Sequence, residues 1–403
     1  MANKEKLPWV LVEEILTRVP PTSLVRLKAV CKRWNTLFND KTFIKNHKKT
    51  FQFVLTTRSK IYSVSVSPKL EVSVLTIDTP GRLKSQILVR LVDSSGFLLC
   101  GMDKGAVVWN PWLSQTRCIE PEVNTPLHLN FLGIGYDNNR RVDEIVYKTL
   151  LVYNMDSDST WKIHEFASDA WKDEEQEKAK YTTSTTSSST TRGFIRVMYH
   201  FSGVVSLNGT LYLLANYAET HLTYRLLFIL VKFNFSSEEF SPFCDLPCGK
   251  NHLRDALVLR VFREDQFSLL KQCYVTKKVE VWVTTNKIDD QYGRDVKWTS
   301  FMEVSIPNMP DLVEIKSYAQ PSYFLDDDKR LVICSCDETG RAWIYVVGEN
   351  KLISKVQLDS VVDPWPFHCT YFPSLVQIPG GKREAAESRI KLPYMDEEVI
   401  LSL

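Results

Sequence analysis

The chain has 403 residues, 44% of them hydrophobic and 24% charged, and a formal net charge of +2. This ordinary globular composition excludes a disordered or collagen-like chain, and the length suggests two or three domains, or one long repeat array with something small attached. Near-neutrality gives no support for nucleic acid or a membrane surface as a partner. Ten Trp, sixteen Tyr and twenty Phe against fifteen Gly favour β-structure, where aromatics pack well on pleated surfaces.

No secretory signal opens the chain. Met1 to Lys6 is polar, and the apolar stretch that follows is broken by Glu13, Glu14 and Arg18. The longest apolar run, Leu226 to Val231, is far short of the roughly 20 residues a membrane span needs. The nine cysteines are odd in number and scattered, which reads as reduced thiols in an intracellular chain. The expected compartment is the cytoplasm or nucleus.

The first fifty residues differ from the rest. They hold eleven Lys or Arg against four acidic residues, a net +7, so the remainder sums to −5. Their period is helical. Leu11 and Ile15 share a face with Val12, Leu16 and Val19, and Pro20-Pro21 stops one helix and can open the next. Leu24, Leu27, Cys31, Trp34 and Phe38 follow at 3-4-3-4 spacing. Three short helices in about 45 residues cannot bury all these apolar groups alone, so the unit is expected to dock its surplus face on a partner.

From about residue 50 the period changes. Short β-forming runs alternate with turn signals: 61–66, 106–109, 145–147, 210–214, 228–231, 279–283, 331–334 and 342–346. An apolar strand ending at a large residue recurs around Tyr62, Trp109, Tyr153, Phe233, Trp282 and Ile344. The usual spacing suits a propeller blade of four strands, roughly 40 to 50 residues, and about six blades are expected. Between Tyr153 and Phe233 the gap is larger. There an acidic stretch followed by the Ser/Thr run 182–191 predicts a mobile insertion over 167–192. The expected architecture is therefore α+β in separate domains: a helical unit over 1–50, an all-β propeller-like domain over 51–380, and a tail over 381–403.

The helical unit resembles the F-box. Leu7-Pro-Trp-Val-Leu-Val-Glu-Glu-Ile-Leu16 matches its opening helix, and Val19 to Phe38, with Ser23-Leu-Val-Arg26 and Cys31-Lys-Arg-Trp34, matches the remainder. One departure is Val10, where the family usually has an acidic residue able to cap the helix. The β-domain resembles the F-box-associated, kelch-like interaction domain of plant F-box proteins, of the type expanded in the mustard family. Ser95 to Cys100 leading to Val108-Trp-Asn-Pro111, Leu132-Gly-Ile-Gly-Tyr-Asp137, Gly203 to Tyr212, Phe235 to Phe240 and Val279 to Val283 carry that likeness. The resemblance implies a three-helix F-box followed by a kelch-type propeller, a Skp-type adaptor, a cullin scaffold, and a substrate-receptor role in a ubiquitin ligase.

The residues themselves point to an adaptor-docking face made of Leu7, Pro8, Ile15, Leu16, Leu24, Leu27, Val30, Cys31 and Trp34, since buried aliphatics contribute about 1.5–3 kcal/mol each and Trp anchors are frequent hot spots. For Leu16 and Leu27 a role in holding the helices together competes evenly. The surrounding basic side chains suit an acidic adaptor surface.

No catalytic set emerges, and neither a cofactor nor a metal is expected. Gly133-Ile-Gly135 lacks the third glycine of a dinucleotide fingerprint and is better explained by close strand packing. Cys244, Cys248 and His252 lack a second well-spaced ligand pair. Cys334-Ser-Cys336 is expected in a strand with its thiols on opposite faces. Asp326 to Arg330 reads as a turn. Trp112, Trp161, Trp171, Trp365 and Tyr371 fall near expected loops, with packing between blades the favoured role for each. Two other readings stand beside the non-catalytic receptor: a glycan-binding F-box protein, and an F-box protein with a role outside ubiquitination. The target and the residues that hold it are unknown.

Overall fold

The computed structural model describes residues 7–383 except 82, 84–85, 122–128, 138–144, 156–157, 174–202, 218–224, 253, 290–292, 307–308, 314–319, 327 and 350. Four helices come first: α1 (Trp9–Leu16), α2 (Pro21–Leu27), α3 (Lys32–Asn39) and α4 (Lys41–Asn46). Pro20 caps α2 and Pro21 takes its first helical position, where a missing N–H costs nothing. The fourth helix joins the three expected because Asp40 caps it, its Oδ1 accepting from the Thr42 N–H at 2.6 Å. Position 10 lies inside α1, whose cap is Pro8. An acidic residue there would act on the helix dipole rather than cap the helix.

Among the described residues, twenty-five strands follow and form six antiparallel sheets. From the inner edge outward, blade 1 is β24 (Phe367–Thr370), β1 (Phe53–Thr56), β2 (Ile61–Val66) and β3 (Val72–Ile77). Blade 2 is β4 (Leu88–Ser94), β5 (Phe97–Met102), β6 (Gly105–Asn110) and β7 (Gln115–Ile119), edged by β25 (Lys382–Arg383). Blade 3 is β8 (Asn130–Tyr136), β9 (Tyr147–Met155), β10 (Asp158–Glu165) and β11 (Ala170–Asp173). Blade 4 is β12 (Val204–Leu207), β13 (Thr210–Tyr217), β14 (Arg225–Asn234) and β15 (Glu239–His252). Blade 5 is β16 (Ala256–Phe262), β17 (Gln266–Gln272), β18 (Val279–Thr284) and β19 (Trp298–Val304). Blade 6 is β20 (Ser322–Leu325), β21 (Leu331–Cys336), β22 (Ala342–Gly348) and β23 (Lys351–Gln357).

The inner strands close a ring. β4 lies between β24 and β8, β12 between β8 and β16, and β24 against β20. Between blades 5 and 6 the buried Tyr323 hydroxyl donates to the Val258 carbonyl at 3.4 Å and bonds Ser268 Oγ at 2.9 Å. The ring is fastened in blade 1, where the inner strand comes from the C-terminal end of the domain and pairs Phe53 with Thr370. The chain continues past β24, and the buried Asn110 anchors it. Its Nδ2 donates to the Ser374 and Val376 carbonyls, and its Oδ1 accepts from the Trp112 and Leu113 amides and the Tyr371 hydroxyl. That full satisfaction is the physical content of the Trp-Asn-Pro stretch.

Other sequence features resolve in the same way. Ser95-Gly96 and Asn208-Gly209 have positive φ at both residues, the requirement of the tight hairpin turns that join first to second strands in blades 2 and 4. Gly133 and Gly135 are contact glycines: a Cβ would meet Leu211 Cδ2 at 2.8 Å and the Gly209 carbonyl at 2.1 Å, respectively. Tyr136 N–H bonds that same carbonyl at 3.0 Å, so blade 4 seats its turn directly on blade 3. The turn at Asp326 is closed by Arg330, whose Nε donates to Asp326 Oδ2 at 2.7 Å. Of the recurring large residues, Tyr62, Trp109, Phe233, Trp282 and Ile344 lie on third strands, whereas Tyr153 lies on a second strand. Trp161, on β10, occupies the equivalent place in blade 3. Cys334 and Cys336 share one face of β21 and one apolar cluster, correcting the expectation of opposite faces, because residues two apart in a strand point the same way. Residues 170–173 of the expected insertion form β11, and the Ser/Thr run lies outside the described residues.

The helical unit is fused to the propeller through one apolar cluster. Val12, Leu16, Leu24, Trp34 and Phe38 continue without a break into Phe51, Leu98, Trp112 and Tyr371. Successive rings connect the two: Trp34–Phe38 (centroids 6.0 Å apart), Phe38–Phe43 (5.4 Å), Phe43–His47 (6.4 Å) and His47–Trp112 (4.9 Å). Trp112 Nε1 donates to the Lys49 carbonyl at 3.1 Å. His47 is buried in its neutral form, Nε2 donating to the Val19 carbonyl at 2.8 Å and Nδ1 accepting from the Lys49 amide at 3.1 Å. Burial, aided by the nearby Lys49 charge, holds its pKa below the usual value and outweighs the Val19 bond.

Two predictions follow from this packing. Gly135→Ala forces its methyl into the Gly209 carbonyl and is expected to cost about 3 kcal/mol in chemical denaturation, the upper end of overpacking, whereas Gly81→Ala, with open space around it, changes stability by less than about 0.5 kcal/mol. For His47, the unfolded chain binds the proton more tightly than the fold, so its contribution is present above the unfolded pKa and is lost as pH falls through and below 6.5. A His47→Asn variant should therefore lose less stability than wild type between pH 7 and pH 5; parallel losses in the two proteins would exclude His47 as the titrating group.

Candidate functional site: two exposed surfaces at opposite ends

The polarity of the strands gives the ring two distinct ends. β1 enters from the helical unit, so that unit sits at the end carrying the first-to-second and third-to-fourth turns. Trp112, in the turn between β6 and β7, and Glu264, between β16 and β17, both meet it, the latter through Lys41 Nζ at 3.1 Å. The opposite end carries the second-to-third turns and the connections between blades.

On the helical unit, α1 divides its apolar residues. Val12 and Leu16 turn inward, while Leu7, Leu11 and Ile15, at four-residue spacing, stay exposed with Val10, which is 73% exposed, beside them. Pro8, Val30 and Cys31 are also exposed. The remaining docking residues are placed otherwise. Leu24 is fully buried, Leu16 is buried, and Trp34 is only 9% exposed, all within the shared core, with Leu27 packed against it. In this conformation Leu16, Leu24 and Trp34 present no surface to a partner. Leu11 and Val10 were missing from the expected face. The Leu7-Leu11-Ile15 spacing carried the signal for Leu11, and Val10 was read only as a capping position. Arg33 lies over the Trp9 ring at 3.4 Å, adding a cation beside this face.

At the opposite end, Ile87 and Val89 of the connection into β4 and Val362, Trp365 and Phe367 of the connection into β24 are exposed. Because β24 and β4 are neighbouring inner strands, Val89 and Phe367 stand at the mouth of the central channel. The Trp365 backbone N–H donates to the Gly340 carbonyl at 2.8 Å, and its ring occupies the space that a side chain on Gly340 would fill. Trp365 alone among the five loop aromatics is exposed. Trp112, Trp161 and Tyr371 are buried, and Trp171 is half-buried in β11. On blade 5, Tyr274 stacks on His252 at 5.4 Å and its hydroxyl accepts from Arg254 Nη1 at 2.7 Å.

Below the mouth the channel is polar. Arg90 Nη1 donates to Asn130 Oδ1 at 2.7 Å, and Ser322 Oγ bonds His368 Nδ1 at 2.8 Å. Arg260 and Asp93 lie deeper along β16 and β4. Burial lifts Asp93 to about 7 against the pull of Arg260, and burial with the Arg260 charge lowers His368 to about 4. Cys244 and Cys248 line the edge of an apolar cluster while His252 stacks on Tyr274; among the described residues no three His, Cys, Asp or Glu groups come together as a metal site. No helix among them is long and apolar enough to cross a membrane.

Comparison with known proteins agrees with both parts of this architecture. Residues 5–46 match the F-box domain family and residues 52–378 the F-box associated beta propeller domain family. A putative F-box/kelch-repeat protein of Arabidopsis thaliana is 64% identical over 399 residues, covering 98% of this chain and 92% of the relative. A putative F-box protein of the same plant is 54% identical over 399 residues, 97% of this chain and 100% of the relative. Another F-box/kelch-repeat protein from it is 51% identical over 396 residues, 95% and 98% of the two chains. With its four N-terminal helices fused to six closed blades, the chain belongs to the plant F-box proteins that carry an F-box associated beta propeller domain.

Proposed function

We propose that the chain is the non-catalytic substrate receptor of a Skp–cullin–F-box ubiquitin ligase, of the mustard-family type. One observation carries the reading: two exposed apolar surfaces lie at opposite ends of a body whose two parts share one core. The first surface fits a Skp-type adaptor and, through it, a cullin. Of the residues expected from sequence, Leu7, Pro8, Ile15, Val30 and Cys31 form it, together with Val10 and Leu11. Leu16, Leu24, Leu27 and Trp34 act by holding the helices that present it. The net +7 of the first fifty residues steers association with an acidic adaptor surface. The second surface receives a target protein. The chemistry is positioning: a bound target lysine is held at high effective concentration near the charged conjugating enzyme. The nine free thiols suit the cytoplasm or nucleus.

An adaptor-binding titration tests this directly. Replacing Leu7, Leu11 and Ile15 together by Ala removes three aliphatic contacts, each contributing about 1.5–3 kcal/mol on full burial, and should weaken adaptor binding more than about a hundredfold while leaving the melting temperature unchanged. Leu24→Ala, inside the core, should instead lower stability by about 2–5 kcal/mol. Undiminished adaptor binding by the folded triple variant would overturn the assignment of this face.

A further inference from the structure

The central channel holds a guanidinium with no assigned task. Arg260, on inner strand β16 of blade 5, feels the charges of Asp93 on β4, and its own charge acts on His368 and Cys369 of β24 and on Tyr323 of β20. Because β16 is the inner strand of blade 5 and neighbours inner strand β12, Arg260 sits on the wall of the central channel, where its charge reaches side chains of blades 1, 2 and 6. Among the described residues it forms no side-chain hydrogen bond and no ion pair, and its Nε is buried without a partner. Asp93, whose carboxyl its charge reaches, likewise forms no ion pair among the described residues. Nearer the open end, Arg90 commits one nitrogen to Asn130. The neutral His368 is held by Ser322. Among the described residues, the inner strands therefore bring two cations, Arg90 and Arg260, to the channel against one carboxylate, Asp93, and on the side of blades 1 and 2 its mouth is flanked by Ile87, Val89 and Phe367, with Trp365 and Val362 just outside.

Arg260 is half-buried with its Nε buried and unpartnered, and the group such a guanidinium lacks is a carboxylate, which it binds through two parallel hydrogen bonds. The apolar rim adds the second half of the recognition, since a small free anion has nothing to place on it. Arg260 lies four residues below the mouth end of β16, about 13 Å at about 3.3 Å per residue, too deep for a side-chain carboxylate of a strand lying across the rim. A chain end can reach it.

Resting on the receptor reading above, we propose that the channel binds the C-terminus of the target polypeptide, its α-carboxylate on Arg260 and the bulky apolar side chains that precede it on the Val89–Phe367–Trp365 rim. Asp93 is compatible with this occupant because its protonated form can donate to the incoming carboxylate, and its burial favours that form.

The test uses the full chain in complex with its adaptor and a pool of random decapeptides fixed as Leu or Phe at the second and third positions from the end. The pool is presented in two forms, with a free C-terminal carboxylate and with a C-terminal amide. The proposal expects capture of the free-acid pool at least about tenfold over the amide pool, the cost of losing a charge-assisted contact. Arg260→Met should abolish that preference with an unchanged or raised melting temperature, Arg260→Lys should keep part of it, and Phe367→Ser should reduce capture of the free acid. Equal capture of the two forms, or capture of amidated peptides through internal Asp or Glu, overturns the assignment; so does full retention by a folded Arg260→Met protein. Adaptor binding is measured on the same samples, so a failure of the channel proposal is separable from a failure of the docking face.

Discussion

The file of rings from Trp34 through Phe38, Phe43 and His47 to Trp112 is the interaction on which the rest of the molecule depends. Such pairs contribute about 0.5–1.5 kcal/mol each beyond the area they bury. Here they run through a cluster that belongs to both units at once. Domain interfaces within a chain are commonly small and polar and allow relative motion. This joint is apolar, and the polar groups it contains are bonded: His47 by Val19 and Lys49, and the Trp112 indole by Lys49. A joint of that kind holds its two ends at a fixed separation. Under the receptor reading proposed above, that separation is the working quantity.

Polar groups are treated differently in different places. At the joint His47 and the Trp112 indole are bonded, and past the ring's fastening Asn110 serves five partners, although the Thr56 and Thr370 hydroxyls of the β1–β24 pair itself are buried without a partner among the described residues. At the axis, the charge of Arg260 acts on Asp93 without a hydrogen bond or ion pair between them, and Arg260 Nε is unpartnered. An unpartnered cation differs in kind from an unpartnered hydroxyl, since desolvating a charge costs more than desolvating a neutral group.

Much of this was legible in the sequence, for local reasons. Alternation and turn residues marked the strands, and β2 begins and ends where its β-forming run does. The spacing of large residues gave the blade count because third-strand residues such as Tyr62, Phe233, Trp282 and Ile344 pack in clusters shared with a neighbouring blade; it slipped in blade 3, where Trp161 sits eight positions after Tyr153. The Gly133–Gly135 pair was correctly assigned to close packing. The docking face was harder. Period 3.6 shows that α1 and α3 are amphipathic, but it does not say whether an apolar residue meets its own core or a partner, and so Leu24 and Trp34 were grouped with Leu7 and Ile15. That distinction depends on where the propeller lies, which is a long-range fact. The channel charges escaped notice for the same reason: Asp93, Arg260 and His368 are scattered along the chain and meet only when six inner strands converge.

The fastening of blade 1 by β24 also governs when the molecule becomes competent. Synthesis delivers the helices first and the inner strand of blade 1 almost last, near residue 370. Until then β1 has an open inner edge, Phe51 lacks the Tyr371 ring on which it stacks, and Asn110 lacks the carbonyls of Ser374 and Val376. The mouth of the channel, which takes Phe367 from that same strand, does not yet exist. A prematurely terminated product can carry every residue of the N-terminal helices and still have an unclosed ring, so completion of translation is the step that finishes the propeller.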